Sequence, residues 1–163
     1  QLTTEIELAQ QLDTLIKPWF ENSMTCGFWM LDDGTSLHYR YAHHNEAKSI
    51  IVISTGRVEC AAKYAELIYD LYQNGHSVFV HDHRGQGLST RLKENPHLGY
   101  IRDFNQYVTD FKNIIDDLLL PMLYEKYIKA EQNMASHDGG ILRQAHTQLH
   151  LLCHSMANSI VDP

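Results

Sequence analysis

The chain has 163 residues, of which 44% are hydrophobic, and 20 acidic against 13 basic side chains give it a net charge of −7. This is the composition of one ordinary soluble globular domain; it excludes an intrinsically disordered chain, a collagen-like repeat and a basic nucleic-acid surface. Apolar runs such as Ile50 to Ile53 fall far short of the roughly 20 residues that a membrane-spanning helix needs. The N-terminus has no basic stretch leading into an apolar one, so no export by a signal peptide of its own is expected. Cys26, Cys60 and Cys153 are odd in number and lack CxxC spacing, which argues against a disulfide framework or a zinc knuckle and for a reducing, cytoplasmic setting. The first residue is Gln1 rather than Met, and Pro163 ends the sequence soon after its most informative motif, so we expect a piece of a longer protein.

Residues 1–22 are expected to contain an amphipathic helix. Ile6, Ala9, Leu12, Leu15, Ile16 and Trp19 form one apolar stripe, and Thr4 with Glu7 makes a capping box at its start. Its polar face carries Glu5, Glu7 and Asp13 against Lys17, a poor match to an anionic lipid surface, so packing on the domain is the preferred reading. Phe28 to Leu31, the turn Asp32-Asp33-Gly34, and Leu37 to Ala42 predict a β-hairpin, because Asp and Gly tolerate the positive φ that tight turns require. Ser49 to Ser54 reads as a strand buried on both faces. A helix over Ala61 to Gln73, stopped at Asn74-Gly75, and a second buried strand over Ser77 to His81 complete a βαβ unit, which builds parallel sheet.

Asp103 to Leu120 predicts a further amphipathic helix stopped by Pro121. Residues 122–147 are polar and read as an irregular insertion, with a short helix over Met122 to Lys129 and a loop at Ser136 to Gly140. Gln148 to Cys153 predicts a third buried strand, after which the chain turns at His154-Ser155. The fold class is therefore α/β: a mostly parallel sheet with flanking helices, preceded by an N-terminal helix and a β-hairpin. Residues 23–163 belong to that one domain.

An exposed serine on the sharp turn between a buried strand and a helix is the geometry of a nucleophile elbow, written G-x-S-x-G because the flanking backbones approach closely. Here the matching residues are Cys153-His154-Ser155-Met156-Ala157, with both glycines replaced by other small residues. Taken alone, that is a weak signal. Ser54 to Glu59 follows the first buried strand, where a glycine such as Gly56 lets a loop bend toward a reacting carbonyl, though in isolation Thr55-Gly56 is merely a turn. His81-Asp82-His83-Arg84-Gly85-Gln86-Gly87-Leu88-Ser89 is a glycine-rich turn after the second strand. It has neither the Lys-Ser/Thr of a phosphate-binding loop nor the helix that a dinucleotide fingerprint opens.

These elements together resemble a known family. The His81 to Ser89 turn, the Thr55 to Glu59 loop with Lys63 to Leu67 after it, Phe104 to Val108, and Leu152 to Met156 are similar to the bacterial lysophospholipases. Those enzymes lie in the monoacylglycerol-lipase-like branch of the α/β-hydrolases, also described as the serine aminopeptidase S33 group. The resemblance runs in order from about Gly27 to Ser159, with the Asp-His-Arg-Gly-x-Gly-x-Ser turn as its most specific part. It implies Ser155 as nucleophile, and the backbone N–H groups of Arg57 and Met156 as the oxyanion hole. The substrate it implies is a lysophospholipid or a monoacylglycerol, cleaved through an acyl-enzyme without metal or other cofactor. It also implies a peripheral place on the inner membrane. The Asp82 to Ser89 turn is expected to shape the loop under the site and takes no catalytic step.

In that fold the acid and the histidine base follow the nucleophile, and only eight residues follow Ser155. Asp162 lies too close to serve as the acid, and His154 points elsewhere than its neighbour, so the triad Asp and His are expected to be absent from this chain. The chain alone is then expected to be nearly inactive. A metal-dependent hydrolase is one rival, since there are eleven histidines and His81 and His83 share one side of an extended segment; HxHxDH and HExxH patterns are lacking. A non-catalytic hydrolase fragment or binding module is the other. The residues fix no oligomeric state.

Overall fold

β-branched residues at Ile50 to Ile53 and the alternation of Val78, Phe79 and Val80 favour extended backbone, and these two segments form the centre of a five-stranded sheet. The structure, a computed structural model, describes residues 10–91, 103–125 and 148–153. The strands are β1 (Thr25–Met30), β2 (Ser36–Ala42), β3 (Ser49–Ser54), β4 (His76–His81) and β5 (Gln148–Cys153), in the order β1-β2-β4-β3-β5. β3 pairs in parallel with β4 on one side and with β5 on the other, whereas β1 with β2 and β2 with β4 are antiparallel. The hairpin is thus an extension of the same sheet. It turns as expected at Asp33-Gly34: Gly34 has φ +81°, the Asp33 Oδ1 accepts the Thr35 N–H at 2.9 Å, and the Leu31 N–H donates to Thr35 O at 2.8 Å.

Alternation along the central strands supplies two cores, one on each face of the sheet. Ile53, Val78, Val80 and Ala42 pack with Ile16, Phe20, Met24, Ala61, Ala65 and Ile68. Ile50, Val52, Phe79, Leu37 and Tyr41 pack on the other face with Ile114, Leu119 and Leu123. The first face is covered by helix α1 (Lys17–Asn22), entered through a wide π-type turn at Leu12–Ile16, and by α2 (Ala65–Gln73), entered through a 3-10 turn at Ala61–Tyr64. The second is covered by α3 (Asn105–Asn113), a π-type stretch at Ile114–Leu119, and the short α4 (Leu120–Leu123). This three-layer arrangement is the expected α/β class. Trp19 reaches over Tyr69 and Tyr72, and the Arg40 guanidinium sits 4.5 Å above the Phe20 ring while donating to Phe20 O at 2.7 Å. These contacts tie α1 to α2 and to β2.

Four details differ from the sequence reading. Leu15, placed on the apolar stripe, is 42% exposed, because the π-type turn carries more residues per turn and rotates it off the buried face. Pro121 does not stop the helix: it sits in the first turn of α4, where its missing N–H breaks no bond, after a π-type stretch has shifted the pairing. Leu123, in the short helix expected from Met122 onward, is a core residue rather than part of an insertion. β5 is the last strand of the sheet among the described residues, and its Leu149, Leu151 and Leu152 are 48%, 43% and 40% exposed, not buried. The capping box at Thr4, the Ser136 to Gly140 loop and the segment from His154 onward lie outside the described residues.

Replacing Ile16 by Ala is expected to lower the unfolding free energy by about 2–5 kcal/mol, while Leu15→Ala costs under about 0.5 kcal/mol. Urea denaturation of the two variants checks this; equal losses would restore Leu15 to the buried stripe.

Candidate active site

The C-terminal ends of β3, β4 and β5 lie level with one another: Ser54 is the register partner of both His81 and Cys153. The loop after β3 and the turn after β4 therefore leave the sheet at the same edge, level with the end of β5. The connection from β3 to β4 runs over one face of the sheet through α2, and the described helices between β4 and β5 cover the other, so the direction of winding reverses between β3 and β5. Such a switch point is where open α/β sheets leave a crevice for ligands.

The turn after β4 is built around the Asp82 carboxylate, which is buried, with the residue 2% exposed. Its Oδ1 accepts the Ala61 N–H at 2.6 Å, and its Oδ2 accepts the Leu88 N–H at 3.0 Å and lies 2.9 Å from His38 Nδ1. The backbone closes on itself around that group. Gly85 and Gly87 have φ +78° and +50°, and a Cβ at Gly87 would fall inside the Asp82 carboxylate. The Ser89 hydroxyl donates to Asp82 O at 2.6 Å and accepts the His38 N–H at 2.8 Å.

Arg84 ties this turn to two distant segments. Its Nε and one terminal nitrogen grip Asp110 of α3 at 2.6 and 2.7 Å, and its other terminal nitrogen donates to Asp33 of the hairpin turn at 2.8 Å. The Asp110 hydrogen bonds hold the guanidinium charged, raising its pKa above the ordinary value. The Thr35 hydrogen bonds first, and then Arg84, lower Asp33 to about 2. Nothing local in the sequence announces these pairs: Arg84 is 26 residues from Asp110 and 51 from Asp33.

His81 and His83 project on the α3 side, their rings 4.7 Å apart and edge to face. Both are fully buried, His81 against Phe111 and His83 against Tyr107. Burial lowers the pKa of His81 well below the ordinary imidazole value and that of His83 to about 4, so both are neutral at pH 7. The His83 Nε2 lies 3.2 Å from Thr55 O, which can only accept, and 3.3 Å from Ser54 Oγ. The Nε2 therefore carries the proton. Among the described residues no three His, Cys, Asp or Glu side chains converge.

The loop after β3 leans on the turn after β4. Thr55 is fully buried, whereas Arg57 and Val58 are exposed at its tip. Glu59 folds back so that its Oε2 accepts the Gly56 N–H at 3.0 Å and the Tyr64 hydroxyl, while Lys63 pairs with its Oε1. Burial and the Glu59 carboxylate push Tyr64 up to about 12, which keeps its hydroxyl a donor. The Glu59 N–H in turn donates to Gln86 Oε1 at 2.9 Å. Of the three residues that the resemblance assigns to catalysis, Arg57 lies on this loop; Ser155 and Met156 lie outside the described residues, as does most of the Cys153 to Ala157 elbow.

The family model described as serine aminopeptidase, S33, matches residues 45–128, a span holding the loop after β3, the turn after β4 and α3. The chain belongs to that family. Among curated relatives, lysophospholipase L2 of Escherichia coli K12 is 49% identical over 74 residues, 45% of this chain and 21% of that protein. The probable lysophospholipase L2 of Haemophilus influenzae is 33% identical over 108 residues, 65% of this chain and 32% of that protein. The chain thus spans about a fifth to a third of the relatives it matches. The family's fold is also seen in the soluble variant of monoglyceride lipase from Saccharomyces cerevisiae, with a TM-score of 0.57 at 17% identity over 84% of this chain and 37% of that one. Cfl2 from Burkholderia cenocepacia gives 0.53 at 17% identity over 84% of this chain and 35% of that one.

Gly87→Ala is expected to cost the full chain about 2–4 kcal/mol, from the positive φ and the collision with Asp82 together. Gly34→Ala, at a similar φ but with open space around it, should cost only about 1 kcal/mol. Denaturation midpoints of the two S33-family variants check the difference; equal losses would show that the Asp82 carboxylate does not fill the space beside Gly87.

Proposed function

We propose that the chain carries the first part of the catalytic site of a serine carboxylic-ester hydrolase acting on single-acyl glycerolipids, lysophospholipid first and monoacylglycerol second. The observation that supports this reading is the parallel register of β5 on β3, which sets the strand ends Cys153 and Ser54 level with each other at one switch point. The substrate class comes from the lysophospholipase L2 relatives. A lysophospholipid is a membrane constituent, so this reading includes peripheral contact with the cytoplasmic side of the inner membrane. Among the described residues no helix is long and apolar enough to cross a membrane.

In the mechanism, Ser155 Oγ attacks the ester carbonyl carbon and its proton passes to a general base. The carbonyl oxygen becomes an oxyanion held by the Arg57 and Met156 N–H groups. Collapse breaks the bond to the glycerol oxygen, which takes the proton and leaves; water then cleaves the acyl-enzyme and releases the fatty acid. Each donor of such a hole contributes on the order of 3 kcal/mol to the transition state. The base and its orienting acid follow the nucleophile in this fold, and we assign neither to the eight residues after Ser155. Residues 1–163 alone are accordingly expected to hydrolyse ester very slowly.

In the full-length protein, Ser155→Ala is expected to reduce lysophospholipid turnover at least about 10³-fold and to abolish labelling by a fluorophosphonate. Retained turnover would overturn the nucleophile assignment. An inert wild-type full-length protein, unlabelled by the probe, would favour the non-catalytic module, for which the replacement of both elbow glycines by Cys153 and Ala157 is the supporting observation.

A further inference from the structure

The loop that carries Arg57 is held by more groups than its exposure requires. All described peptides are trans, so the C=O of Thr55 and the N–H of Gly56 point in opposite directions within one plane. Each side has its own partner. The buried His83 Nε2–H donates to Thr55 O at 3.2 Å, and the Glu59 carboxylate accepts the Gly56 N–H at 3.0 Å. The next peptide is fixed as well: Gly56 O accepts a long, 3.4 Å hydrogen bond from the Glu59 N–H, which is anchored more closely, at 2.9 Å, by Gln86. With Gly56 O turned toward Glu59, the Arg57 N–H on the same peptide points the other way.

The loop also adopts a conformation that its own sequence disfavours. Val58 has φ +60°, a region that a β-branched residue enters at a cost of about 1–2 kcal/mol. Such a conformation persists only when the surroundings over-determine it, and it concentrates at functional sites. The partners of Glu59 are themselves positioned by α2 and its entry turn: Tyr64 donates to Oε2 and Lys63 pairs with Oε1. His83 is kept in place by Tyr107 of α3, at 5.0 Å between ring centroids. Its neutrality suits the role, because a proton on its Nδ1 would be buried without an acceptor among the described residues.

We propose that His83 and Glu59 are positioning residues for the oxyanion hole, clamping the Thr55–Gly56 peptide from its two sides so that the Arg57 N–H faces the reacting carbonyl. The inference rests on the ester-hydrolase reading above and assigns neither residue a chemical step. Fixed donors are what make such a hole effective, since they need no reorganisation as charge develops. A misplacement of about 1 Å in a catalytic group can cost on the order of 100-fold in rate.

The test is made in the full-length protein with a lysophospholipid and a fluorophosphonate. His83→Leu removes the donor, while His83→Gln keeps an N–H close to the Nε2 position. The leucine variant is expected to lose about 10- to 100-fold in kcat and in labelling rate, with KM within about twofold. The glutamine variant should recover to within about threefold of wild type. A merely structural role would move the melting temperature without this split between kcat and KM. Glu59→Ala, whose side chain is 11% exposed but lies outside both apolar cores, should show the same kcat loss and carries the test if the leucine variant aggregates. Unchanged kcat in either soluble variant, with Ser155→Ala inactive, overturns the clamp and leaves the hydrolase reading intact. Activity retained in Ser155→Ala overturns both.

Discussion

The parallel pairing of β3 between β4 and β5 is the constraint on which the site depends. One register sets Ser54 level with His81 on one side and with Cys153 on the other, so three strands end at the same height. A slip of one residue in either pairing would exchange the two faces of a strand, sending Val52 away from its core and His81 away from α3. Because both faces of β3 and β4 are packed, such a slip would strip two cores at once. The apolar patterning that stabilises the sheet thus also sets which loops meet at its edge.

At that edge the chain uses charge and hydrogen bonding rather than apolar packing. Asp82 gathers Ala61, Leu88 and His38 around one carboxylate, and Arg84 gathers Asp110 and Asp33 around one guanidinium. Buried ionic groups of this kind add little net stability compared with well-packed apolar residues, but breaking one partner is costly. Their consequence here is geometric: they fix the turn after β4 on α3 and on the hairpin, and through Gln86 fix the loop after β3 on that turn. The loop with Arg57 therefore stands on a rigid base although its tip is exposed.

Much of the fold was legible in the sequence, because burial on both faces of a strand leaves a plain signature. The β-branched run at Ile50 to Ile53, the helical spacing of Tyr64, Leu67, Ile68 and Leu71, and the Asp33-Gly34 turn each reflect local chemistry. Where the outcome depends on more than local pattern, the sequence misleads. Leu15 fits the stripe of a regular helix and is rotated out of it by a π-type turn; Pro121 is a helix stop only where its N–H is needed. β5 is as apolar as a central strand, yet its leucines are exposed among the described residues. Arg57 was legible as a loop residue, but the groups holding its loop were not, since His83 and Glu59 sit in motifs whose partners lie across the sheet. The Arg84 pairs were hidden for the same reason.

The most direct measurement of the central claim is a crystal structure of the full-length protein after reaction with a fluorophosphonate. The account predicts phosphorus bonded to Ser155 Oγ, with the phosphoryl oxygen about 2.7–3.1 Å from the Arg57 backbone nitrogen, the range for an oxyanion donor. Label on another residue, or an oxygen lying beyond hydrogen-bond reach of Arg57, would contradict it.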